Sequence, residues 1–486
     1  MYPLGKQFEV NYERAKCNNK AILQGTTYRI SVLSERLVRL EYSASGKFVD
    51  RPTELVLRRD FDLADFSIRQ DKKIAEIATK YFTLTYVKEQ PFVGTKLDPM
   101  KYLKITLNSH ERDRNKDWYY GHPEARNMLG NMISLDVSTQ PYYMKGLYSL
   151  DGFCSIDDSH NKVIMEDGTL EDGPADRVDI YVFMYDKDFS QALLDYFRLT
   201  GSPSMIPRYA LGNWWSRNVS YTDETSFQLI RNFEKKRIPL AVMLYDNDWH
   251  YRNIGQNSGL KSGYTFNPNL IKDPKTVIDQ FHIRGIRVGL CVNPTEGFYP
   301  HEAYYAQACK YYGQTDSSII KYDPLNPKLM DIMFKIFLHP LESYGVDFFW
   351  NDYKGDSNIH NLWATNHYMY MDSKRNIAKR GMLLSRNSLI APHRYGILYG
   401  GSSEIGWDFL KKLPFYYLNA ANVGVSWWSH DVAGNHGGVE EGELYVRYLQ
   451  LSTFSPILRF HGARGPYYKK EPWLWDARVA NIAADY

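Results

Sequence analysis

Two rhythms of apolar positions divide the chain. Up to about residue 185, apolar and polar residues alternate. Val38, Leu40 and Tyr42 interleave with Arg39 and Glu41, Phe82, Leu84 and Tyr86 with Thr83 and Thr85, and Leu103, Ile105 and Leu107 with Lys104 and Thr106. Period-two patterning broken by short polar turns predicts a β-sandwich rather than helices. After a strand over 178–185, Phe189, Ala192, Leu193, Tyr196 and Phe197 share one helical face. The stretch TGSPSMIP, 200–207, reads as a linker. The expected domains are therefore 1–205, a sandwich with its linker, and 206–486.

From Arg208 onward, short apolar runs alternate with helical patterns. Strands are expected over 210–215, 240–246, 286–293, 346–352, 382–386, 396–401, 425–431 and 457–461. One helix opens at Thr222 with Asp223 and Glu224 in its first turn, where the helix dipole favours acids. Another follows Asn326 as N-cap and Pro327 at the first helical position, with Met330, Met333, Phe334, Phe337 and Leu341 on one face. Pro340 is expected to kink its end. Eight strands with helices between them predict an α/β fold, a (β/α)8 TIM barrel behind the N-terminal β-sandwich. The run 473–486 reads as an eighth helix cut short, so the natural chain is expected to continue.

Such barrels keep their chemistry at the carboxyl ends of the strands. The run VDFFWNDYKGD, 346–356, ends its strand on Asp352 and turns into a loop with Lys354, Gly355 and Asp356. The other strand ends carry Trp215 and Arg217, Asp246 and Asp248, Asn293 and Glu296, Arg386, Ser402, Asp431 and His461. One strand-end acid ordinarily caps the next helix. A ring of acids, arginines, tryptophans and a histidine points instead to a pocket. Asp356 reads as a solvated loop acid, and Trp427 and Trp428 alternate faces, so only one of them can enter the barrel.

Composition narrows the chemistry. With 59 basic and 56 acidic residues the formal charge is +3, so no long-range field recruits nucleic acid or an anionic membrane. No apolar run reaches membrane-spanning length and the N-terminus lacks a signal-like apolar segment. The four cysteines show no ligand spacing. A soluble, cytoplasmic protein with free thiols is expected. His430 and His436 lack a third ligand at sensible spacing, so no metal is expected. Carboxylates, arginine and aromatics without a phosphate-binding glycine loop suit glycoside hydrolysis, which needs two carboxyl groups flanking the scissile bond. From the residues alone Asp352 is the nucleophile, and the acid is sought among Asp431, Asp246 and Glu404. Glu404 also reads as the cap of a helix starting near Ile405. The expected partner is an oligosaccharide or glycoside substrate, with oligomeric state left open.

PRYALGNWWSR (207–217), YDNDWH (245–250), SGYTFN (262–267), VDFFWNDYKG (346–355), SWWSHDVAG (426–434) and SPILRFHG (455–462) together resemble family 31 glycoside hydrolases, with a weaker likeness at GLYSLDGF (146–153). That resemblance implies a retaining α-glycosidase, α-glucosidase- or α-xylosidase-like, that needs no cofactor. It implies Asp352 as nucleophile, Asp246 as the acid holding sugar hydroxyls with Asp248 its near neighbour, and Arg386 beside the acid/base. It further implies His461 on a sugar hydroxyl, Trp350 as a pocket wall and Asp431 as a supporting acid. One position departs from the pattern. The family's acid/base aspartate falls sixteen residues after the arginine, where this chain has Ser402 in Tyr399-Gly400-Gly401-Ser402. A hydroxyl cannot replace a carboxylic acid as proton donor near neutrality. Three readings follow: Glu404 or another cleft acid substitutes, in a hydrolase or a transglycosidase; the substrate supplies its own good leaving group; or the protein binds glycans without cleaving them.

Overall fold

The computed structural model describes residues 4–109, 115–132, 136, 143–355, 358–465 and 468–486. Asp356, expected as a solvated acid, lies outside the described residues. The N-terminal part holds two five-stranded antiparallel sheets. One runs Ile22–Gln24, Tyr28–Ser34, Leu37–Tyr42, Val178–Met184, Phe153–Asp157 in spatial order, and the other runs in sequence from Phe66–Gln70 to Asp117–Trp118. Ile30, Val32, Val38 and Leu40 of the first pack on Phe82, Leu84 and Ile105 of the second. This is the face that the alternation marked. The opposite face of the first sheet is buried as well. Leu37, Tyr181 and Phe183 cover the helix Phe189–Thr200, and the fully buried Arg39 donates through Nε and Nη2 to the two oxygens of Asp179, 2.9 and 2.7 Å away.

Eight parallel strands follow: β1 Asn213–Arg217, β2 Val242–Tyr245, β3 Arg287–Val292, β4 Phe348–Asn351, β5 Leu383–Arg386, β6 Ile397–Tyr399, β7 Trp428–Ser429 and β8 Leu458–Phe460. From β1 to β7 each strand pairs with the next in sequence, and β8 pairs with β1. The last seam is a single parallel bridge just beyond β7, where the Val432 amide donates to the Arg459 carbonyl at 3.1 Å. All eight expected strands are present; seven are shorter than expected, and the first is shifted to Asn213–Arg217 because Arg208–Leu211 form a 3-10 turn. Alternation along them divides the side chains. Trp214, Val242, Leu244, Phe348, Trp350, Leu384, Ile397 and Tyr399 fill the barrel. Trp215, Met243, Leu290, Phe349, Leu383, Leu398 and Phe460 face the helices.

The helix Asp223–Lys236 starts where its sequence indicates. Thr222 Oγ1 accepts from the Thr225 amide at 3.2 Å, and Thr225 Oγ1 accepts from the Thr222 amide at 2.8 Å. Two otherwise unpaired amides are thereby satisfied. Thr222→Ala is expected to lower stability by about 1 kcal/mol, read as a lower urea midpoint at unchanged slope. Around Pro340 the expected kink takes another form. The helix Pro327–Ile332 widens into a π-helical stretch, Met333–Leu338, and then resumes as His339–Ser343. Proline has no amide hydrogen, and its ring crowds the preceding turn. A wider turn just before Pro340 relieves both without breaking the axis. No helix among the described residues is long and apolar enough to cross a membrane.

Candidate active site

Alternation also selects the site. Asp246, Asp352, Arg386, Asp431 and His461 each lie two residues beyond a side chain that points into the barrel or its mouth: Leu244, Trp350, Leu384, Ser429 and Arg459. The strand phase therefore aims all five at the carboxyl-terminal opening. The same phase turns Trp215 and Arg217 away, contrary to expectation. Trp215 stacks on Trp473 among the helices, and Arg217 donates through Nη1 to both oxygens of Glu471 at 3.0 and 2.9 Å. Glu296 is also engaged elsewhere, accepting from the Lys261 and Ser262 amides at 2.9 and 3.0 Å to anchor the loop before β3.

At the centre, Arg386 Nε donates to Asp352 Oδ1 at 2.9 Å. The Asp352 side chain keeps 20% of its surface exposed, so one edge remains open to a ligand. Asn293 donates to the Asp352 carbonyl at 3.2 Å and holds the end of β4. Asp246 is nearly enclosed and accepts from the amide and side chain of Asn247 at 2.7 and 2.8 Å. Burial, reinforced by the charge on Asp352, pushes the Asp246 carboxyl up to about 6 against the pull of the Asn247 amide. His461 Nε2 lies 3.8 Å from Asp246 Oδ2, and its Nδ1 shares a 2.9 Å hydrogen bond with Ser216 Oγ. Burial and then Arg459 hold this imidazole well below its ordinary value. Both shifts disfavour the charged forms, so the His461–Asp246 contact is no ion pair.

These shifts set a pH dependence. A carboxyl with a pKa of about 6 in the fold and about 3.9 in the unfolded chain binds its proton more tightly when folded. Its contribution to stability is therefore complete below about pH 4 and is lost as pH rises through about 6. Asp246→Asn removes that loss. The variant is expected to gain on the wild type by about 3 kcal/mol between pH 4 and pH 7, measured as the difference between their urea-unfolding curves.

Asp431 has no accessible surface. It pairs with Arg459 and accepts from Asn435 Nδ2 at 2.9 Å. Arg459 in turn lies over the Trp350 and Tyr399 rings, 5.4 and 4.6 Å from their centroids. Asp431 thus acts on the pocket through Arg459, which holds both rings. Trp350 meets His461 edge to face at 5.3 Å. Asp248 faces a separate hollow of about 730 Å3, pairing with Arg252 at 3.2 Å and with Arg464 and Ser220. A cavity of about 1080 Å3 lined by Arg208, Asp347, Phe348 and Trp427 contains none of these groups and opens at the opposite, amino-terminal end of the barrel.

Ser402 and Glu404 behave differently from each other. Ser402 Oγ lies 3.1 Å from the Tyr399 hydroxyl, at the rim. The next residues pair with the loop after β7: Ser403 O accepts from the Asn435 amide at 2.7 Å, and the Ile405 amide donates to His436 O at 3.1 Å. Strand-like pairing buries Ser403 and Ile405 and turns Glu404 to solvent alongside Gly437. Among the described residues no hydrogen bond ties Glu404 to Asp352 or Arg386. Nor does Glu404 cap the following helix, which starts at Trp407 with Gly406 at the N-cap.

Among the described residues another carboxylate meets Arg386, one that sequence reasoning missed. Asp136, from the N-terminal part of the chain, accepts from Arg386 Nη1 at 3.2 Å, Lys354 Nζ at 3.0 Å and the Ser402 amide at 2.8 Å. Burial would raise its pKa, but Arg386, the Ser402 amide and Lys354 outweigh it and hold the carboxyl below its ordinary value. No local pattern marks a residue that meets its partners across more than two hundred positions. Arg459 was legible in principle, since it stands two residues before His461 on the same strand face. His430 uses both ring nitrogens, on Tyr417 Oη at 2.9 Å and Ser452 Oγ at 3.2 Å. Among the described residues no group of three potential metal ligands comes together.

Comparison with known proteins gives this geometry a family. An α-xylosidase of Saccharolobus solfataricus is 25% identical over 345 residues, covering 64% of this chain and 44% of its own. Alpha-glucosidase 2 of Bacillus thermoamyloliquefaciens is 25% identical over 348 residues, covering 64% and 43%. The chain spans less than half the length of either relative. In overall fold it resembles a Flavobacterium johnsoniae dextranase solved with glucose, at TM-score 0.68 and 17% identity over 95% of this chain and 65% of that one. A soil-metagenome α-xylosidase solved with xylose gives TM-score 0.68 at 14% identity, over 96% and 82%. The model of the glycosyl hydrolases family 31 TIM-barrel domain matches residues 203–486, and the chain belongs to that family.

Proposed function

We propose that this pocket carries out retaining chemistry on α-linked gluco- or xylo-configured glycosides, through a covalent glycosyl-enzyme on Asp352. The observation that carries the reading is the Asp352–Arg386 pair at the barrel mouth, open on one edge, with Asp246 and His461 beside it. Arg386 holds one oxygen of Asp352, which leaves the other to attack the anomeric carbon. The uncharged His461 and the Asp246 carboxyl suit hydrogen bonds to sugar hydroxyls, and Trp350 forms the adjoining wall. The names of the relatives, α-xylosidase, α-glucosidase and dextranase, support the sugar class.

Ser402 shapes the substrate range. General-acid help is typically worth about 10²–10⁴-fold, and a hydroxyl does not supply it. Glycosides whose leaving group needs little protonation are therefore the favoured donors. The test offers α-glucosyl fluoride beside maltose, with intact-protein mass spectrometry for a glycosyl adduct and NMR for the first-formed anomer. Turnover of the fluoride with an α product and an adduct on Asp352 supports the reading. Turnover of maltose as well requires a substitute acid, and Glu404→Gln is expected to leave that turnover unchanged because Glu404 turns to solvent. Sugar binding with no adduct and no turnover makes the protein a glycan-binding member of the family and ends the proposal.

A further inference from the structure

Arg386 is shared between two carboxylates, and only one of them belongs to the barrel. Its Nε holds Asp352 at 2.9 Å and its Nη1 holds Asp136 at 3.2 Å. A single guanidinium thus sets Asp136 beside the nucleophile, on the side of Ser402. The Ser402 amide donates to Asp136 at 2.8 Å, so the residue standing in the family's acid/base place holds this carboxylate through its backbone. Retaining glycosidases need two carboxyl groups about 5–5.5 Å apart. Glu404 turns to solvent, Asp431 has no accessible surface and Asp246 lies on the His461 side.

We infer that Asp136 is the general base of the second half-reaction, the carboxylate that activates water or an acceptor hydroxyl against the sugar bound to Asp352. The inference rests on the proposed retaining chemistry and names the residue that completes it. In the first half-reaction an Asp352 oxygen bonds to the anomeric carbon and the leaving group departs with the bonding electrons. In the second, Asp136 takes a proton from the incoming water while the water oxygen bonds to the anomeric carbon. The ester bond to Asp352 breaks in the same displacement, returning its electron pair to that carboxylate. The proton on Asp136 passes to solvent. Lys354 and Arg386 keep Asp136 ionised, which suits a base and not a proton donor. Esterification of Asp352 removes the competing negative charge from Arg386, so Asp136 remains ionised at the moment it is needed.

The assignment is tested with Asp136→Ala and the near-isosteric Asp136→Asn, using α-glucosyl fluoride and α-xylosyl fluoride as donors. Both variants are first checked for a wild-type melting profile, and the asparagine form covers the case in which alanine disturbs packing. Turnover is expected to fall about 10²–10⁴-fold in each. Mass spectrometry is expected to find the glycosyl-enzyme accumulating on Asp352. Azide, a nucleophile that needs no base, is expected to restore turnover of the alanine variant and yield the α-glycosyl azide. A raised KM with no accumulated adduct and no azide rescue would make Asp136 a sugar-binding group and overturn the inference. Turnover within a few-fold of wild type would overturn it too. Should the wild type itself neither turn over nor form an adduct with either fluoride, the retaining reading fails first and takes this inference with it.

Discussion

Asp352→Ala is expected to abolish turnover of α-glucosyl fluoride, by about 10⁴–10⁶-fold, the scale of losing a covalent nucleophile. The glycosyl adduct expected for the wild type should be absent from this variant. Asp136 also pairs with Arg386 and is partly open, but it lies on the Ser402 side, where the acceptor would enter, so it is not expected to take over the attack. Azide supplied to this variant enters where the carboxylate stood and attacks the anomeric carbon directly, so the product should be the inverted β-azide. The anomer separates this outcome from that expected for Asp136→Ala, where retention is predicted. Residual activity within tenfold of wild type, or an α-azide from Asp352→Ala, would remove Asp352 from the role. Arg386 should remain in place in the variant, still held by Asp136.

Asp431→Ala is expected to destabilise the barrel by about 3–5 kcal/mol. The carboxylate is fully buried and pairs with an equally buried Arg459, whose Nε also donates to Ser429 Oγ at 3.0 Å. Removing the acid leaves an uncompensated guanidinium among the barrel's aromatic rings and strands the Asn435 amide group that it accepts. Most of the loss is the cost of the orphaned charge, not the worth of the pair. Arg459→Met in the same chain should therefore recover a large part of the stability, because an apolar chain of similar length fits between Trp350 and Tyr399. Urea unfolding followed by tryptophan fluorescence measures both. A single variant within about 1 kcal/mol of wild type, or a double variant no better than the single, would contradict the account. Loss of the Arg459 brace should also loosen Trp350, so sugar binding is expected to weaken in parallel.

Much of this protein was legible before folding was considered. The period-two runs at 37–42, 82–87 and 103–107 and the eight short apolar runs after 208 lie where strands formed, because alternation and burial act within a few residues. Thr222 and Asn326 marked helix starts for the same local reason, since a cap bonds its own first turn. Local reading erred where phase or pairing at a distance decided. Trp215 and Arg217 were placed in the cleft, yet the strand phase faces them outward. Glu404 had the chemistry of a substitute acid, but pairing of residues 403–405 with 435–436 turned it to solvent.

The order of residues alone determined a sandwich followed by a closed ring of eight strands, and the family that such a ring with these motifs belongs to. It also raised the expectation, through the family resemblance, that Ser402 occupies the place of the proton donor. Which carboxylate meets that serine was decided only in three dimensions. Asp136 reaches Arg386, Lys354 and the Ser402 amide across 250, 218 and 266 positions of chain. Electrostatic attraction acts through space and leaves no periodicity in sequence, so a contact of this kind becomes visible only once both parts of the chain have folded against each other.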